Sequence, residues 1–519
     1  MMNAALLTAT SLIMQSVSMA FNIYISNKVG AEGIGLFTLI MSVYGLCVTF
    51  ATSGVHLASV RLVSEAIGRN SHRQILASIK RCFIYAVIFG FTTGGAVFFL
   101  ADYIGQVWLA DTRTVRCIRI LAVSLPFVSL SCVMSGYFSA VKRVFKSASA
   151  QVLEELITIG LVSAGLYFLL PRGIEYGCIA IIGGNCLAQV LSLIYMAVLF
   201  LLDVKRHNTR EGTVPPALTR DMLGITLPVA FTAYAKSGLS TIKNLLIPYG
   251  LKKNGATGTG ALEAYGMLTG MAFPVIMFPQ VIIASFSGLL VPEITKSRVA
   301  GHFNNVRYIM SRVFHVVTVF SIGVCGILIC FAFDLGEVIY SNAHVSLYIK
   351  LMAPLVPFLY IDSIVDATLN GLNEQVRSMQ INLIDSMLSI TLVWLLLPKM
   401  GTYGYILMLY VCKSINAAMS FARLIKVTGF RINVIKWFLK PALCIAVSVL
   451  AVKLAFAAAG VAAVYSTALT VIKIISAAVL YVALVRLSLC VDHDDCVWFG
   501  RVVFGDKINF DKLSFRFRR

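Results

Sequence analysis

The sequence predicts an all-α polytopic membrane protein of about fourteen transmembrane helices, arranged as two six-helix lobes with two further helices at the C-terminal end. Three observations predict it. The 519 residues are 59% hydrophobic and only 13% charged, with a mean hydropathy of +0.86, beyond what a soluble core can hide. Apolar runs of about 20 residues, enough to cross a bilayer, recur along almost the whole chain. One set of polar landmarks also occurs twice, in the same order.

The runs fall near 4–27, 34–58, 82–107, 117–140, 150–170, 178–202, 224–250, 266–291, 313–339, 347–371, 378–398, 403–422, 438–460 and 464–488. No basic segment precedes the first, and it is too long for the core of a signal peptide, so it is expected to remain as a helix. Between spans six and seven the hydrophilic DVKRHNTREGTVPPALTRDM, with Pro215 and Pro216, marks a linker. The organisation that follows is an N-terminal six-helix lobe over 1–202, a cytoplasmic linker over 203–223 and a C-terminal six-helix lobe over 224–428. Two additional helices over 429–488 and a basic cytoplasmic tail over 489–519 complete it.

The lobes rest on the repeat. Leu169-Leu-Pro-Arg-Gly-Ile-Glu-Tyr-Gly177 returns as Leu396-Leu-Pro-Lys-Met-Gly-Thr-Tyr-Gly404. Lys146, Ser147, Gln151 and Glu154 return at one fixed offset as Arg377, Ser378, Asn382 and Asp385, and GRNSHRQILASIKRCF at 68–83 is echoed by GHFNNVRYIMSRVF at 301–314. Each unit holds six spans. Six is even, so both halves enter the membrane in the same direction and a pseudo-two-fold along the membrane normal is expected, with a cleft between the lobes.

The net charge of +20 does not point to nucleic acid. With both termini in the cytoplasm, most of the 43 lysines and arginines fall in loops on that side, the positive-inside pattern, and attract anionic membrane lipids. Outer loops are too short for a catalytic domain, and no P-loop or zinc-protease motif occurs. Neither ATP hydrolysis nor any other enzyme activity is expected. The twelve cysteines lack metal spacing; the segment from Cys490 to Cys496, with His493, reads as a solvated tail.

Lysines 236, 243, 413, 453 and 473 lie within spans. Lys236 and Lys243 are seven residues apart, nearly two turns, and so share a face of span seven with Thr232 and Ser240. A lysine at mid-bilayer costs about 2.5 to 3.5 kcal/mol unless solvated or paired. Lys243 has the alternative of reaching the interface; Lys236 points to a hydrated cavity or an ion pair. Asp362 and Asp366 share a face of span ten, and Asp385 follows Asn382 by about a turn on span eleven. These acids read either as partners of the lysines in a structural network or as a site for a coupling Na⁺ or H⁺. Gln15 and Asn22 share a face of span one, with His56 and Arg61 at the end of span two; the amides alternatively bond neighbouring helices. Gly266 to Pro274 is the segment most suited to bending.

The stretches GAEGIGLFTLIMSVYGLCVTFATSG at 30–54, SGLSTIKNLLIPYGLKKNGA at 237–256 and YGMLTGMAFPVIMFPQ at 265–280 resemble the stage V sporulation protein B branch of the multidrug/oligosaccharidyl-lipid/polysaccharide exporter superfamily. The resemblance covers spans one to twelve. It implies two lobes alternating between inward-open and outward-open forms, and a lipid-linked glycan as substrate, translocated across the bacterial cytoplasmic membrane by a monomeric transporter. Relatives of this branch commonly carry arginines at the places of Gln15 and Asn22, where they help to hold a pyrophosphate. Here both are uncharged, and Lys236 and Lys243 are expected to supply the positive charge. The expected substrate site comprises Lys236, Lys243, Gln15, Asn22, Arg61 and Ser240; cation coupling is expected at Asp362, Asp366, Asp385 and Asn382. A cation-coupled multidrug extruder is the alternative, though it calls for acids in place of lysines.

Overall fold

The computed structural model describes residues 2–69, 71–206, 218–429, 435–460, 466–488 and 490. The middle of the expected linker, 207–217, and all of the tail motif except Cys490 lie outside them. The described elements are helical, with no strand among the described residues. The principal helices are α1 (Met2–Thr52), α2 (Val55–Gly68), α3 (His72–Phe99), α4 (Thr114–Ala140), α5 (Val144–Leu169), α6 (Ile174–Arg206), α7 (Leu218–Lys253) and α8 (Gly258–Tyr265). They continue as α9 (Gln280–Val299), α10 (Phe303–Tyr340), α11 (Ala343–Met352), α12 (Val356–Gly371), α13 (Gln375–Thr428), α14 (Lys440–Ala458) and α15 (Thr467–Leu487).

Eleven stretches are long and apolar enough to cross a membrane, which makes this a multi-pass membrane protein. Two of them are double. The stretch Leu12–Gly68 has 57 residues and, if straight, would measure about 85 Å against a hydrocarbon core of about 30 Å. It bends at Gly30, where φ is 79°, separating spans one and two. The 54 residues of α13 bend likewise at Gly401, where φ is 56°, separating spans eleven and twelve. Gly401 lies within the repeated Leu-Leu-Pro segment, and Gly173, one position earlier in the other copy, also has positive φ, 129°. Each copy thus turns its corner at a glycine, which adopts positive φ without strain. Span seven is absent from the eleven: α7 has 36 residues, ample for a crossing, but its lysines and hydroxyls lower its hydropathy. The bend expected at Gly266–Pro274 is a wide π-turn over Gly266–Ala272.

The repeat extends to backbone detail. Lys142 and Asn373, at the shared offset, are left-handed (φ 57° and 62°). The following amides bond back in the same way, Arg143 N–H to Phe138 O at 2.9 Å and Glu374 N–H to Leu369 O at 2.8 Å, a helix-ending turn. On the other side of the membrane Ala110 and Ser341 are left-handed. The next side chains bond forward along the chain: Asp111 accepts from Arg113 N–H at 3.0 Å just ahead of α4, and Asn342 caps α11, accepting from His344 N–H at 2.9 Å.

By packing, the chain forms two compact units. One comprises Lys28–Lys252 and Ala256–Gly266, with a core including Leu62, Tyr85, Val133, Phe138 and Met222. The other comprises Met1–Asn27, Lys253–Gly255 and Met267–Arg519; Val319, Phe331, Ile445, Val449 and Tyr481 form one of its clusters. The division therefore falls outside the 203–223 segment, and α7 packs with the first unit. Its attachment there is direct: Thr241 Oγ1 donates to Ser42 O at 3.0 Å, Thr49 Oγ1 to Ser237 Oγ at 3.2 Å, and the Tyr234 and Ser53 hydroxyls bond.

In the same unit α1 and α8 touch backbone to backbone. A Cβ on Gly35 would lie 2.0 Å from Leu262 O, and one on Gly266 would lie 2.0 Å from Ala31 O. Gly266→Ala is expected to cost about 1 to 3 kcal/mol by overpacking, seen as a lower thermal midpoint in detergent. An unchanged midpoint would mean that the two helices stand further apart.

Candidate functional site

The bonds from Tyr234, Ser237 and Thr241 to α1 set the rotation of α7 about its own axis. Lys236 and Ser240 are then exposed and Lys243 is half-buried. Lys236 makes no hydrogen bond or ion pair among the described residues. It lies near the middle of α7, which runs from Leu218 to Lys253; with that midpoint at the centre of a bilayer the nearest interface is about 15 Å away, beyond the reach of a lysine stem. An unpaired cation at that depth requires water or an anionic ligand beside it.

Gln15 is exposed and Asn22 half-buried, its Oδ1 accepting from Ser26 at 3.5 Å; both belong to the other unit. Arg61 pairs with Glu65 one turn along α2 at 3.1 Å, with both side chains exposed. That is a surface pair of small energetic weight, which an anionic ligand could displace.

The acids separate into two environments. Asp385 receives Lys413 Nζ at 3.1 Å, with 14% and 21% of the two side chains exposed. Asp366 meets only neutral donors among the described residues. Ser378 Oγ donates to its Oδ1 at 2.5 Å and Asn382 Nδ2 to its Oδ2 at 3.2 Å. Asn382 in turn accepts from Asn416 Nδ2 at 3.4 Å, and Asn416 accepts from Ser420 Oγ at 3.2 Å. This chain ties α12 to both halves of α13. Asp362 is half-buried one turn before Asp366. Asp362, Asp366 and Asp385 do not gather into one ligand set: among the described residues no group of three or more His, Cys, Asp or Glu has metal-holding geometry.

Several charged contacts escaped sequence reasoning. Lys473, 5% exposed, pairs with Asp334 at 2.8 Å and so joins α15 to α10. Asp203, whose side chain is fully buried, pairs with Arg143 and Lys146 and accepts from Tyr137 Oη at 2.9 Å. In the other unit Glu374, at the place equivalent to Arg143, pairs with Arg423 at 2.7 Å. Both turns are held to the end of their sixth span by an ion pair, with the charges exchanged. Ser378 and Ser147 were visible in the repeat, and each bonds back across its turn, to Asp366 and to Ser135 respectively. Their partners were not visible, because the carboxylate of one copy is a hydroxyl in the other.

Comparison with known proteins adds the following. Residues 1–298 match the family described as polysaccharide biosynthesis protein. Stage V sporulation protein B of Bacillus subtilis (strain 168) is 24% identical over 405 residues, covering 77% of this chain and 78% of the relative. Sporulation protein YkvU of the same organism is 20% identical over 361 residues, covering 68% and 78%. Among solved structures, a lipid II flippase in an inward closed conformation aligns with a TM-score of 0.69 at 16% identity, over 94% of this chain and 98% of that one. An inward-facing multidrug resistance transporter aligns with a TM-score of 0.64 at 14% identity, over 82% and 98%. At such identities these alignments speak for the fold.

Proposed function

The chain belongs to the polysaccharide biosynthesis protein family, and from that premise we propose that it is a flippase, moving a polyprenyl-pyrophosphate-linked glycan across the bacterial cytoplasmic membrane by alternating access. The observation that carries this reading is Lys236: an exposed, unpaired ammonium in the middle of a long helix, where a passing anionic pyrophosphate stabilises it and hydrocarbon does not. Lys243 and Ser240 extend the same polar stripe along α7. The concentration of basic residues in alternate loops supports a cytoplasmic side for both termini. Coupling to Na⁺ or H⁺ is assigned in this reading to Asp366 with Asn382, since Lys413 already neutralises Asp385. Asp366 is bonded by a hydroxyl and an amide, neutral donors that leave its charge for a cation to balance.

The test is transport of a fluorescent lipid-linked oligosaccharide by the protein reconstituted in vesicles. Lys236→Glu is expected to reduce the rate by about 100-fold, since a charge-assisted contact of up to about 3 kcal/mol is lost, with the thermal midpoint unchanged. Transport unaffected by this variant would remove the lysine from the mechanism. Efflux of organic cations that survives it would favour a multidrug extruder.

A further inference from the structure

The helices α3 and α10 start at equivalent places in the two halves of the repeat, His72 and Phe303, and carry Phe83 with Phe314 and Gly95 with Gly326 at the same offset. Their outer faces meet different fates. On α10, His315, Thr318 and Val319 are 4%, 1% and 7% exposed. The His315 ring stacks on Trp437 at 5.8 Å, and Ile445 and Tyr481 pack so closely on Gly326 and Gly323 that added Cβ atoms would meet them at 2.4 and 2.5 Å. The cover is the chain's own α14 and α15. On α3 the equivalent Ile84, Val87 and Ile88 are 50%, 38% and 54% exposed, and a Cβ on Gly95 would meet nothing within 4 Å.

Between this bare face and α6 runs a groove of about 450 Å³ lined by Leu76, Ile79, Phe83, Ile84, Val87 and Phe200, a volume in the range of ligand sites. Its floor is the edge-on contact of Phe83 with Phe200 at 5.7 Å. Leu76 to Ile88 covers about 18 Å of helix, close to the roughly 15 Å of one leaflet's hydrocarbon. The wall is apolar except at one end, where Lys80 stands exposed. An adjoining cavity of about 240 Å³, which shares Leu76, brings in His72 and Arg143. The nearby carboxylate of Asp203 is shared between Arg143 and Lys146, so the end of the groove carries surplus positive charge. On α10, where protein covers the face, the position of Lys80 is Ser311. The cation is present only in the half whose cover is missing.

We propose that the α3–α6 groove binds an anionic phospholipid of the leaflet facing the basic loops, one acyl chain lying along Ile84, Val87 and Phe200 and the phosphate resting on Lys80. One leaflet of depth and a cationic mouth are what such a lipid requires. A second copy of the chain or the segment 207–217 would instead present protein to the groove.

The test uses the full chain in phosphatidylcholine vesicles containing phosphatidylglycerol with a photoreactive acyl chain. Label is expected on residues 76–88, competed by phosphatidylglycerol and not by phosphatidylcholine. Lys80→Ala is expected to lower it about fivefold, the factor for about 1 kcal/mol per lysine at a membrane surface, and Val87→Trp, which fills the groove, to remove it. Equal labelling by the two lipids in the unaltered protein would overturn the proposal in favour of ordinary boundary lipid. So would efficient disulfide formation by Val87→Cys, either with a second copy or with Glu211→Cys.

Discussion

Lys473→Ala is expected to lower stability by about 3 to 5 kcal/mol, the cost of stranding a buried charge. Asp334 on α10 is 15% exposed and Lys473 5%, and with the ammonium gone the carboxylate faces the apolar cluster of Val319, Phe331, Ile445 and Tyr481. Lys453→Ala is the control: that lysine lies on the neighbouring α14 but is exposed, and its loss is expected to stay within about 0.5 kcal/mol. The double variant Asp334→Ala, Lys473→Ala removes both charges and is expected to recover most of the loss. Thermal midpoints of the purified protein in detergent decide it. Equal midpoints for Lys473→Ala and Lys453→Ala would show that the pair does not hold α15 in place.

Asp203→Ala is the second large effect, expected at about 3 kcal/mol. One fully buried carboxylate serves two cations and the Tyr137 hydroxyl. Its removal leaves Tyr137 Oη, which is buried, without its acceptor, while Arg143 and Lys146, 38% and 27% exposed, turn towards water and limit the cost. The equivalent Glu374 and Arg423, 22% and 27% exposed, form a wetter pair, so Glu374→Ala is expected to cost less than half as much. The reverse order, measured by thermal midpoint and by protease cleavage near residues 141–146 and 372–377, would contradict the burial argument.

The legibility of the molecule varied with the range of the interaction. Spans and corners were readable because hydropathy and left-handed turns are properties of a few adjacent residues: Gly173 and Gly401 sit in the quoted repeat, and both have positive φ. The continuity of α1 through Gly30 and of α13 through Gly401 was not readable, since a glycine corner and a loop have the same composition. The sequence placed Lys413 and Asp385 on neighbouring spans but not in contact, and the contact at 3.1 Å is a tertiary fact. Asp334 gave no signal, being one acid in an otherwise apolar span.

By itself the sequence determined that this chain lives in a membrane, which stretches are apolar enough to cross it, and that one set of landmarks occurs in it twice. Tertiary structure alone decided which side of each helix is covered: that α7 turns Tyr234, Ser237 and Thr241 onto α1 and leaves Lys236 exposed, that Asp366 meets neutral donors while Asp385 meets a lysine, and that α14 and α15 cover α10 while nothing equivalent among the described residues covers α3. The reason is physical. Hydropathy and turn chemistry are summed along the chain, whereas the rotation of a helix about its own axis is set by neighbours hundreds of residues away, and in an apolar solvent a span that is hydrophobic all round does not say which face they will take.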